Sequence, residues 1–443
     1  MKAYKVFFIL LITLTYSCSN DNEYHNIQDK ILETQITELY GSLDALIMPS
    51  GESLNKIPSD PKNKITSEKI ALGKLLFHET GLAINPKITA GKNTYSCASC
   101  HHSKAGFQSG MKQGVGEGGI GFGTIGENRT TSPLYDSTTL DIQPIRSPTI
   151  LNTAYQKVML WNGQFGATGP NKGTEANWTA GSPKEKNNLG FEGVETQAIA
   201  GLDVHRLKID PSFITSNDYK ELFDNAFPNS SAEEKYSTLN AALAIAAYER
   251  SVLSNQAPFQ KWLKGDKSSL SEDETKGANL FFGKAKCYTC HSGPGLNGMN
   301  FHALGMRDLS GDDFEGTIDD ATKKGRGGFT NNPEDDYKFK TPTLYNLKDV
   351  NHLGHGGSFL TIKEVLKYKN NAIAENKSVP KNKLSKSFNP LNLTDEEITQ
   401  LSLFIEVSLY DNNLSRYVPD TLPSNNCFPN ADDVSKQDMS YCE

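Results

Sequence analysis

The sequence predicts a mainly α-helical protein made of two similar domains in tandem, with long irregular loops between its helices. Its 443 residues exceed what one hydrophobic core usually holds. A short cysteine and histidine motif occurs twice with similar flanking segments, which indicates an internal repeat. The 37 glycines and 20 prolines are typical of a chain with many turns and long loops.

The composition and charge of the chain indicate which classes of partner the chain is not suited to bind. Hydrophobic residues make up 37% and charged residues 22% of the chain, as in a globular protein. The formal net charge is -7. This charge argues against nucleic acid as a partner, because phosphate binding requires clustered lysine and arginine.

Residues 1–17 form a targeting segment. Lys2 and Lys5 precede an apolar run over residues 6–12, which is too short to span a bilayer. The segment ends in Leu-Thr-Tyr-Ser directly before Cys18, which resembles a bacterial lipoprotein cleavage box. An ordinary signal peptide with an incidental cysteine is the alternative. Both interpretations predict a protein of the periplasm or cell envelope, and the first adds a lipid anchor to a membrane at Cys18.

Four segments follow in the predicted organisation. They are a lipid-anchored tether over residues 18–58, an N-terminal domain over 59–262, a C-terminal domain over 263–420 and a tail over 421–443. Apolar side chains at helical spacing predict an amphipathic helix within the tether: Ile27, Ile31, Ile36, Leu39 and Leu43. The polar, proline-containing stretch after this helix is predicted to be a linker.

The seven cysteines divide into three groups. Cys18 is the candidate anchor, and four others form two C-x-x-C pairs. Cys427 and Cys442 remain, and in an oxidising compartment two leftover cysteines most simply pair with each other. The tail is therefore predicted to contain a disulfide bond.

Histidine directly follows both C-x-x-C pairs, giving Cys97-Ala98-Ser99-Cys100-His101 and Cys287-Tyr288-Thr289-Cys290-His291. On a helical turn, residues three apart share a face, so both thiols reach the vinyl groups of one porphyrin while the adjacent imidazole lies under its iron. This pattern is the attachment signature of c-type haem. A zinc site, which needs four ligands, and a redox dithiol are the alternatives. The sequence thus predicts two covalently bound haem c groups, with His101 and His291 as iron ligands.

Both motifs lie inside a longer repeat. Before the motifs, Ser67-Glu68 and Gly73–Phe77 match Ser271-Glu272 and Gly277–Phe281; after them, Arg146–Asn152 matches Lys340–Asn346 and Trp161–Phe165 matches His355–Phe359. Ser271 and Glu274 form a capping box, which predicts the start of a helix. Two tandem c-type cytochrome domains follow as the architecture. Their join is predicted between Gln256 and Leu270.

These segments resemble those of the bacterial dihaem cytochrome c peroxidases, a family that includes the enzyme maturing the quinone cofactor of methylamine dehydrogenase. The resemblance runs from about Leu72 to about Tyr410, and its marks are Leu72–Phe77, Leu151-Asn152, Trp161–Gly163, Ala247–Arg250 and Phe339–Leu344. It implies reduction of hydrogen peroxide to water with electrons from a small cytochrome or another redox donor. It also implies that electrons pass from the C-terminal haem to the N-terminal haem, with Trp161 between the two. A core aromatic is the alternative for Trp161.

Peroxide reduction requires a displaceable iron position and a distal acid or base. Many relatives carry a distal histidine in a glycine-rich loop, where this chain has Glu117; a solvated loop carboxylate is the alternative. Relatives place a glutamate soon after the glutamine that matches Gln197, whereas this chain has His205 and Arg206. We interpret these two as a proton carrier beside a stabilising cation, with a surface pair as the alternative.

The sixth ligand of the second haem stays open at this point. Relatives use a methionine or a tyrosine some fourteen residues beyond the histidine that matches His355, and that position falls on Lys369, with Tyr368 beside it. Met306 is another candidate, although methionine more often packs in cores. The resemblance also implies an interdomain calcium ion, but Arg146 replaces a ligand asparagine, which speaks against calcium.

Two other functions compete with peroxide reduction. One is oxidation of a protein or organic substrate through high-valent iron, as in the cofactor-maturing relative. The other is electron transfer by a dihaem carrier without enzyme activity. A carrier requires protein ligands on both faces of both irons.

Overall fold

The computed structural model describes residues 26–216, 218–439 and 442. Within these residues the protein is mainly helical, with long irregular connections and two small sheets, which confirms the predicted fold class. The targeting segment and Cys18 lie outside the described residues. No helix in the described ranges is long and apolar enough to cross a membrane.

The helices are numbered in chain order. They are α1 over 26–40, α2 Ser67–His78, α3 Gly193–Val204, α4 Pro211–Ser216, α5 Lys220–Ala226, α6 Ala232–Lys235, α7 Thr238–Ser251, α8 Pro258–Leu263, α9 Glu272–Phe282, α10 Asp320–Lys323, α11 Arg326–Thr330, α12 Ile362–Asn371, α13 Asp395–Leu403 and α14 Asp433–Asp438. Two antiparallel strand pairs accompany them, β1 Gly119–Ile120 with β2 Thr130–Thr131, and β3 Phe301–His302 with β4 Phe339–Lys340.

The first core forms where α2 packs against α7 and α7 packs against α3. Thr66 caps α2, because its hydroxyl accepts a hydrogen bond from the backbone N–H of Lys69 at 3.2 Å. The backbones of α2 and α7 meet closely at Gly73, where an added Cβ would lie 1.9 Å from the carbonyl oxygen of Ala244. Glycine is therefore required at this crossing.

The second core repeats the first. Helix α9 packs against α13 and begins at the predicted capping box of Ser271 and Glu274. Gly277 takes the place of Gly73, since an added Cβ would lie 2.1 Å from the carbonyl oxygen of Gln400. The two halves thus share one helix-crossing geometry, as the internal repeat predicts.

The chain passes between the cores earlier than the predicted boundary at residues 262 and 263. Val252 belongs to the first core, whereas Leu253 and the α8 side chains Phe259 and Trp262 are buried in the second. The change from one core to the other therefore falls directly after α7, and the domain boundary at residues 262 and 263 stays a prediction. The apolar residues of α8, which the predicted boundary placed in the N-terminal domain, belong to the second core.

Helix α1 is present as predicted, but its buried face differs from the predicted one. Leu32 and Ile36 are buried, whereas Ile27 and Ile31 are exposed by 47% and 40%. The indole N–H of Trp262 donates to the carboxylate of Asp29 at 2.7 Å. This bond turns the Asp29 side of the helix toward the second core.

The segment that follows α1 is not the linker that the sequence suggested. The side-chain amide of Gln260 donates to the carbonyl of Leu46 at 3.0 Å and accepts from the backbone N–H of Met48 at 2.8 Å. Leu46, Met48 and Ile57 are buried in the second core. Residues 41–58 are therefore part of the folded protein.

The C-terminal tail returns to the first domain. Cys427 is paired with Cys442, and their Cα atoms are 5.6 Å apart. The hydroxyls of Ser96 and Ser99, at the first C-x-x-C-H motif, donate to the carbonyl of Pro429 at 2.9 and 3.0 Å. The last residues of the chain thus support the first motif.

Candidate haem sites

Each C-x-x-C-H motif forms a single 3-10 turn. Nδ1 of His101 lies 3.3 Å from the carbonyl oxygen of Phe107, and Nδ1 of His291 lies 3.1 Å from that of Leu296. A ring fixed through Nδ1 presents Nε2 to a metal. Burial lowers the pKa of both imidazoles to about 4, and the neutral form is the one that a metal ligand requires.

The four motif cysteines form no disulfide bond. Burial raises the pKa of the Cys97 thiol well above its usual range and the pKa values of Cys100 and Cys287 to about 12. A redox dithiol instead needs a lowered thiol pKa. Cys97 packs against the first core and Cys287 against the second, so the two pairs do not share one zinc ion. Both alternatives to haem lose support.

Gln197 and Gly201 share one face of α3, and His205 follows at the next turn. An added Cβ at Gly201 would lie 3.8 Å from Nε2 of Gln197 and 4.0 Å from Cδ2 of His205, so the glycine leaves space between the two polar groups. Oε1 of Gln197 is buried and has no hydrogen-bond partner among the described residues. This face of α3 therefore carries one unsatisfied polar atom beside the space at Gly201.

Asp141 holds His205 in place. Nδ1 of His205 lies 2.8 Å from Oδ2 and 3.1 Å from Oδ1 of this carboxylate. Burial lowers the pKa of His205, but the attraction and hydrogen bonding of Asp141 outweigh burial and raise the pKa above its ordinary value. Asp141 lies 64 residues from His205 in the chain and no motif surrounds it, so local sequence patterns do not point to it.

Glu117 and Arg206 form an ion pair. The Glu117 side chain is 0% exposed, so the alternative of a solvated loop carboxylate is wrong. Its Oε1 also accepts hydrogen bonds from the backbone N–H of Ile88 at 3.0 Å and from the hydroxyl of Tyr135 at 3.1 Å. Arg206 in turn donates to the carbonyl of Thr139 at 3.1 Å. Both carboxylate oxygens are therefore occupied by protein donors.

A cavity of about 630 Å³ lies at the second motif, within the size range of ligand pockets. Its walls contain both cysteines and the histidine of that motif, together with five lysines and one aspartate. This charge balance suits a bound group with carboxylates, such as the haem propionates. Nε2 of His302 is buried in the cavity wall and has no partner among the described residues. These features fit a haem.

The structure separates the three candidates for the sixth ligand. Lys369 and Met306 line the cavity, whereas Tyr368 does not. The hydroxyl of Tyr368 donates to the carbonyl of Leu304 at 2.5 Å, and its ring packs against Phe359 with centroids 5.0 Å apart. Burial lowers the pKa of Lys369.

Trp161 lies at the border between the halves. Its ring lines the second cavity, and its indole N–H donates to the carbonyl of Arg146 at 2.9 Å. Its own carbonyl accepts a hydrogen bond from the backbone N–H of Lys340 at 2.7 Å. A residue of the first half thus forms part of the second site.

The residues around Arg146 do not fit a calcium ion. The guanidinium is fully buried and donates to the carbonyls of Ser109 at 3.2 Å and Met111 at 2.9 Å and to Oε1 of Gln108 at 3.3 Å. Burial lowers the pKa of Arg146 to about 9, so the side chain stays cationic at neutral pH. A protein cation therefore already binds the oxygen atoms here.

Comparison with known proteins agrees with this geometry. The family model for di-haem cytochrome c peroxidase matches residues 67–268. The chain is 30% identical to cytochrome-c peroxidase IdrP1 of Denitromonas iodatirespirans, over 82% of this chain and 87% of that protein. It is 29% identical to the methylamine utilization protein MauG of Methylorubrum extorquens, over 79% and 80%. A crystal structure of a MauG-like protein associated with microbial copper homeostasis has the same fold, with a TM-score of 0.56, 23% identity and coverage of 84% of this chain and 98% of that one.

The chain belongs to the dihaem cytochrome c peroxidase family. It is accordingly an oxidoreductase, and the family implies two haem c groups, hydrogen peroxide as substrate and a redox donor. The family's c-type cytochromes are periplasmic.

Proposed function

We propose that this protein reduces hydrogen peroxide to water at the first haem, with electrons that enter at the second haem from a small redox donor. The observation that supports this proposal is the imidazole of His205, with its Nδ1 2.8 Å from Oδ2 of Asp141. The loop that packs on this carboxylate at Gly116 also packs on Cys100 of the first motif at Gly114. A histidine fixed in this way offers its Nε2 to a substrate as a proton acceptor and donor.

Covalent attachment is part of the proposal. Cys97 and Cys100 hold the first haem and Cys287 and Cys290 the second, with His101 and His291 as iron ligands. The haem irons supply the redox chemistry when bound. Replacing Cys97 and Cys100 by alanine removes one of the two haems that survive acid extraction. Loss of both haems from this variant would contradict two independent sites.

The protein's own part in the reaction is proton transfer. Nε2 of His205 accepts a proton from hydrogen peroxide and returns it to the leaving oxygen. Two further protons come from solvent, and two electrons from the donor complete the conversion of one peroxide to two waters. Gln197, with its unpartnered Oε1, orients the substrate across the gap at Gly201.

Arg206 and Glu117 have a supporting role in this scheme. Their ion pair neutralises both charges, and Arg206 also donates to the carbonyls of Thr139 and Leu140, at 3.1 and 3.4 Å. These contacts fix the chain that leads directly into Asp141. The pair therefore keeps the Asp141 carboxylate at the distance that His205 requires.

Steady-state peroxide turnover by the protein with both haems loaded, with a reduced small cytochrome as donor, tests the proposal. His205→Ala slows the reaction with peroxide on the order of a hundredfold, the usual size of a lost acid-base group. His205→Gln keeps a polar side chain, but its amide cannot accept a proton and return it. The reaction of this variant with peroxide is therefore equally slow, and its haem spectrum stays unchanged. Undiminished turnover in both variants would rule out His205.

Oxidation of a protein or organic substrate is the second candidate, because the identity to the methylamine utilization protein is close to that with the peroxidase, 29% against 30%. The two functions differ in the source of electrons. A peroxidase oxidises two one-electron donor proteins for each peroxide consumed. The second candidate would be favoured if an organic substrate supports peroxide consumption and a small cytochrome does not.

We also propose that the mature chain is anchored to a membrane through lipid at Cys18, on the cleavage-box pattern alone. Cys18→Ala then moves the protein from the membrane fraction to the soluble fraction of the cell envelope. An unchanged distribution between these fractions would contradict the anchor.

A further inference from the structure

Lys340 is a buried lysine in the wall of the second cavity. It lies on strand β4, lines the cavity and is only 7% exposed. Among the described residues its ammonium group has one acceptor, Oε1 of Gln156, and no carboxylate pairs with it. An ammonium group can donate three hydrogen bonds, so two N–H donors of Lys340 are left for a group in the cavity.

The internal repeat provides a comparison for this lysine. Lys340 occupies the position that Arg146 has in the first half. The guanidinium of Arg146 is also buried, but protein oxygens surround it, namely the carbonyls of Ser109 and Met111 and Oε1 of Gln108. The ammonium group of Lys340 has a single neutral acceptor instead. Because a buried cation with too few partners is strongly destabilised, this contrast indicates that Lys340 binds a ligand that Arg146 does not.

Two hydrogen bonds place Lys340 beside the second motif and at the border between the halves. Two residues further along the chain, the carbonyl oxygen of Pro342 lies 3.1 Å from Nδ1 of His291. The backbone N–H of Lys340 itself donates to the carbonyl of Trp161 at 2.7 Å. The segment that carries Lys340 therefore runs along the cavity wall from the iron ligand His291 to Trp161.

The cavity wall does not supply the negative charge that Lys340 lacks. Asp308 is the one acidic residue among those that line the cavity, and its Oδ1 lies 3.2 Å from Nε2 of His355. The other four lysines of the wall compete for the same negative charge. A haem held by the second motif brings two propionate carboxylates into this cavity, and these groups match the unused donors of Lys340.

We propose that the ammonium group of Lys340 binds a propionate of the second haem, with Gln156 holding the ammonium group in position. The contact is an ion pair between ammonium and carboxylate, so no proton or electron is transferred. Lys340 is thus a positioning residue and leaves iron ligation to other side chains. The proposal rests on the proposed function only for the presence of a haem in this cavity.

The ion pair affects the reduction potential of the second haem. The negative charge of an unpaired propionate stabilises ferric iron, which carries one more positive charge than ferrous iron. A buried ammonium group on that propionate offsets the charge, and the surrounding protein screens the effect less than water would. We therefore expect Lys340 to hold the second haem at a higher potential than it would have without this cation.

Spectroelectrochemical titration and resonance Raman spectroscopy of the protein with both haems loaded test the assignment. Lys340→Met removes the charge at similar length, so the potential of the second haem falls and its propionate bending band shifts, while the first haem is unchanged. Lys340→Arg restores the charge and returns both values toward those of the unmodified protein. Lys323→Met is the matched control and leaves both values unchanged, since Lys323 lines the same cavity but its side chain is 48% exposed and pairs with Asp320 at 3.4 Å.

Two results would overturn the assignment. One is an unchanged propionate band and potential in Lys340→Met, and the other is an equal shift of both in Lys323→Met, which would show a general effect of charge. Circular dichroism and haem content separate these results from misfolding. Lys340→Gln, which is polar but uncharged, replaces Lys340→Met if that variant does not load haem. A protein that passes these tests but does not turn over peroxide would sink the proposed function and leave the role of Lys340 standing.

Discussion

Trp161 and His355 lie edge to face, with ring centroids 6.3 Å apart and an angle of 66° between the ring planes. They occupy equivalent positions in the internal repeat. The backbone around them is equivalent as well, because the N–H of Arg146 donates to the carbonyl of His355 at 3.1 Å and the N–H of Lys340 to that of Trp161 at 2.7 Å. The two halves therefore meet through matching residues, and the Trp161 ring of the first half reaches the second cavity.

Trp161→Phe should slow electron transfer from the second haem to the first. Phenylalanine keeps an aromatic ring at the contact but loses the indole and its hydrogen bond to Arg146, so peroxide turnover falls while haem content and fold persist. Stopped-flow reduction of the second haem, followed by reoxidation with peroxide, measures the step. Trp178→Phe is the control, since the Trp178 indole bonds to Thr174 at 3.1 Å and does not line the cavity. Equal rates in both variants would remove Trp161 from the electron path.

The fully oxidised enzyme should react with peroxide without prior reduction. The only carboxylate in the predicted distal loop, Glu117, is occupied by Arg206, Ile88 and Tyr135, so it does not bind the first iron. A high-spin ferric signal and cyanide binding are expected in the oxidised protein, and Glu117→Gln leaves both unchanged. If the oxidised enzyme is inert until it receives one electron, or if both haems are low-spin, another residue occupies that iron and the roles of His205 and Glu117 fall.

The rate of the peroxide reaction should rise with pH above 6.5. The pKa of His205 is raised from its ordinary value of 6.5 because the attraction of Asp141 outweighs burial. The neutral form, which accepts the proton, therefore predominates only at a pH above this raised pKa. The same sign applies to stability: the His205–Asp141 contribution is complete below pH 6.5 and is lost as pH rises through the raised pKa. Asp141→Asn removes the attraction and moves the rising limb to lower pH. Asp203→Asn, which breaks a surface ion pair with Lys186, should leave the profile in place.

Gly73→Ala should lower the free energy of unfolding by about 1–3 kcal/mol, the usual cost of overpacking. The added methyl group would lie 1.9 Å from the carbonyl oxygen of Ala244, so α2 and α7 must move apart. Denaturant unfolding followed by circular dichroism measures the change. Gly51→Ala is the control, because its added Cβ meets nothing within 4 Å. Equal stability of the two variants would show that the crossing is not tight.

Calcium chelation should change neither activity nor thermal stability. The guanidinium of Arg146 already binds the carbonyls of Ser109 and Met111. Arg146→Ala leaves these buried oxygens without donors and should cost about 1–3 kcal/mol, measured as a lower midpoint of thermal unfolding. A loss of activity with EGTA that added calcium reverses would show that a calcium ion binds after all.

Local sequence patterns predicted the parts of the fold that short segments specify. The structure contains the capping box at Ser271 and the two C-x-x-C-H turns, which are patterns within a few residues. It also contains the repeat of short segments that relates Trp161 to His355. The buried face of α1 could not be predicted in the same way. It depends on a hydrogen bond between Asp29 and Trp262, which are far apart in the chain.

The polar groups around His205 show the same limit. Gln197, His205 and Arg206 lie within ten residues of one another, and the resemblance to the family selected them. Asp141 escaped notice because only the folded chain brings it to His205. The burial of Glu117 was missed for a related reason, since a glycine-rich loop normally leaves a carboxylate in water.

The course of the C-terminal tail affects the order in which the protein matures. The hydroxyls of Ser96 and Ser99, at the first C-x-x-C-H turn, donate to the carbonyl of Pro429, which follows the whole C-terminal domain in the chain. The contacts of this turn are therefore complete later than those of a first domain that folds by itself. Until the C-terminal domain has followed, the turn that carries Cys97 and Cys100 lacks these two hydrogen bonds.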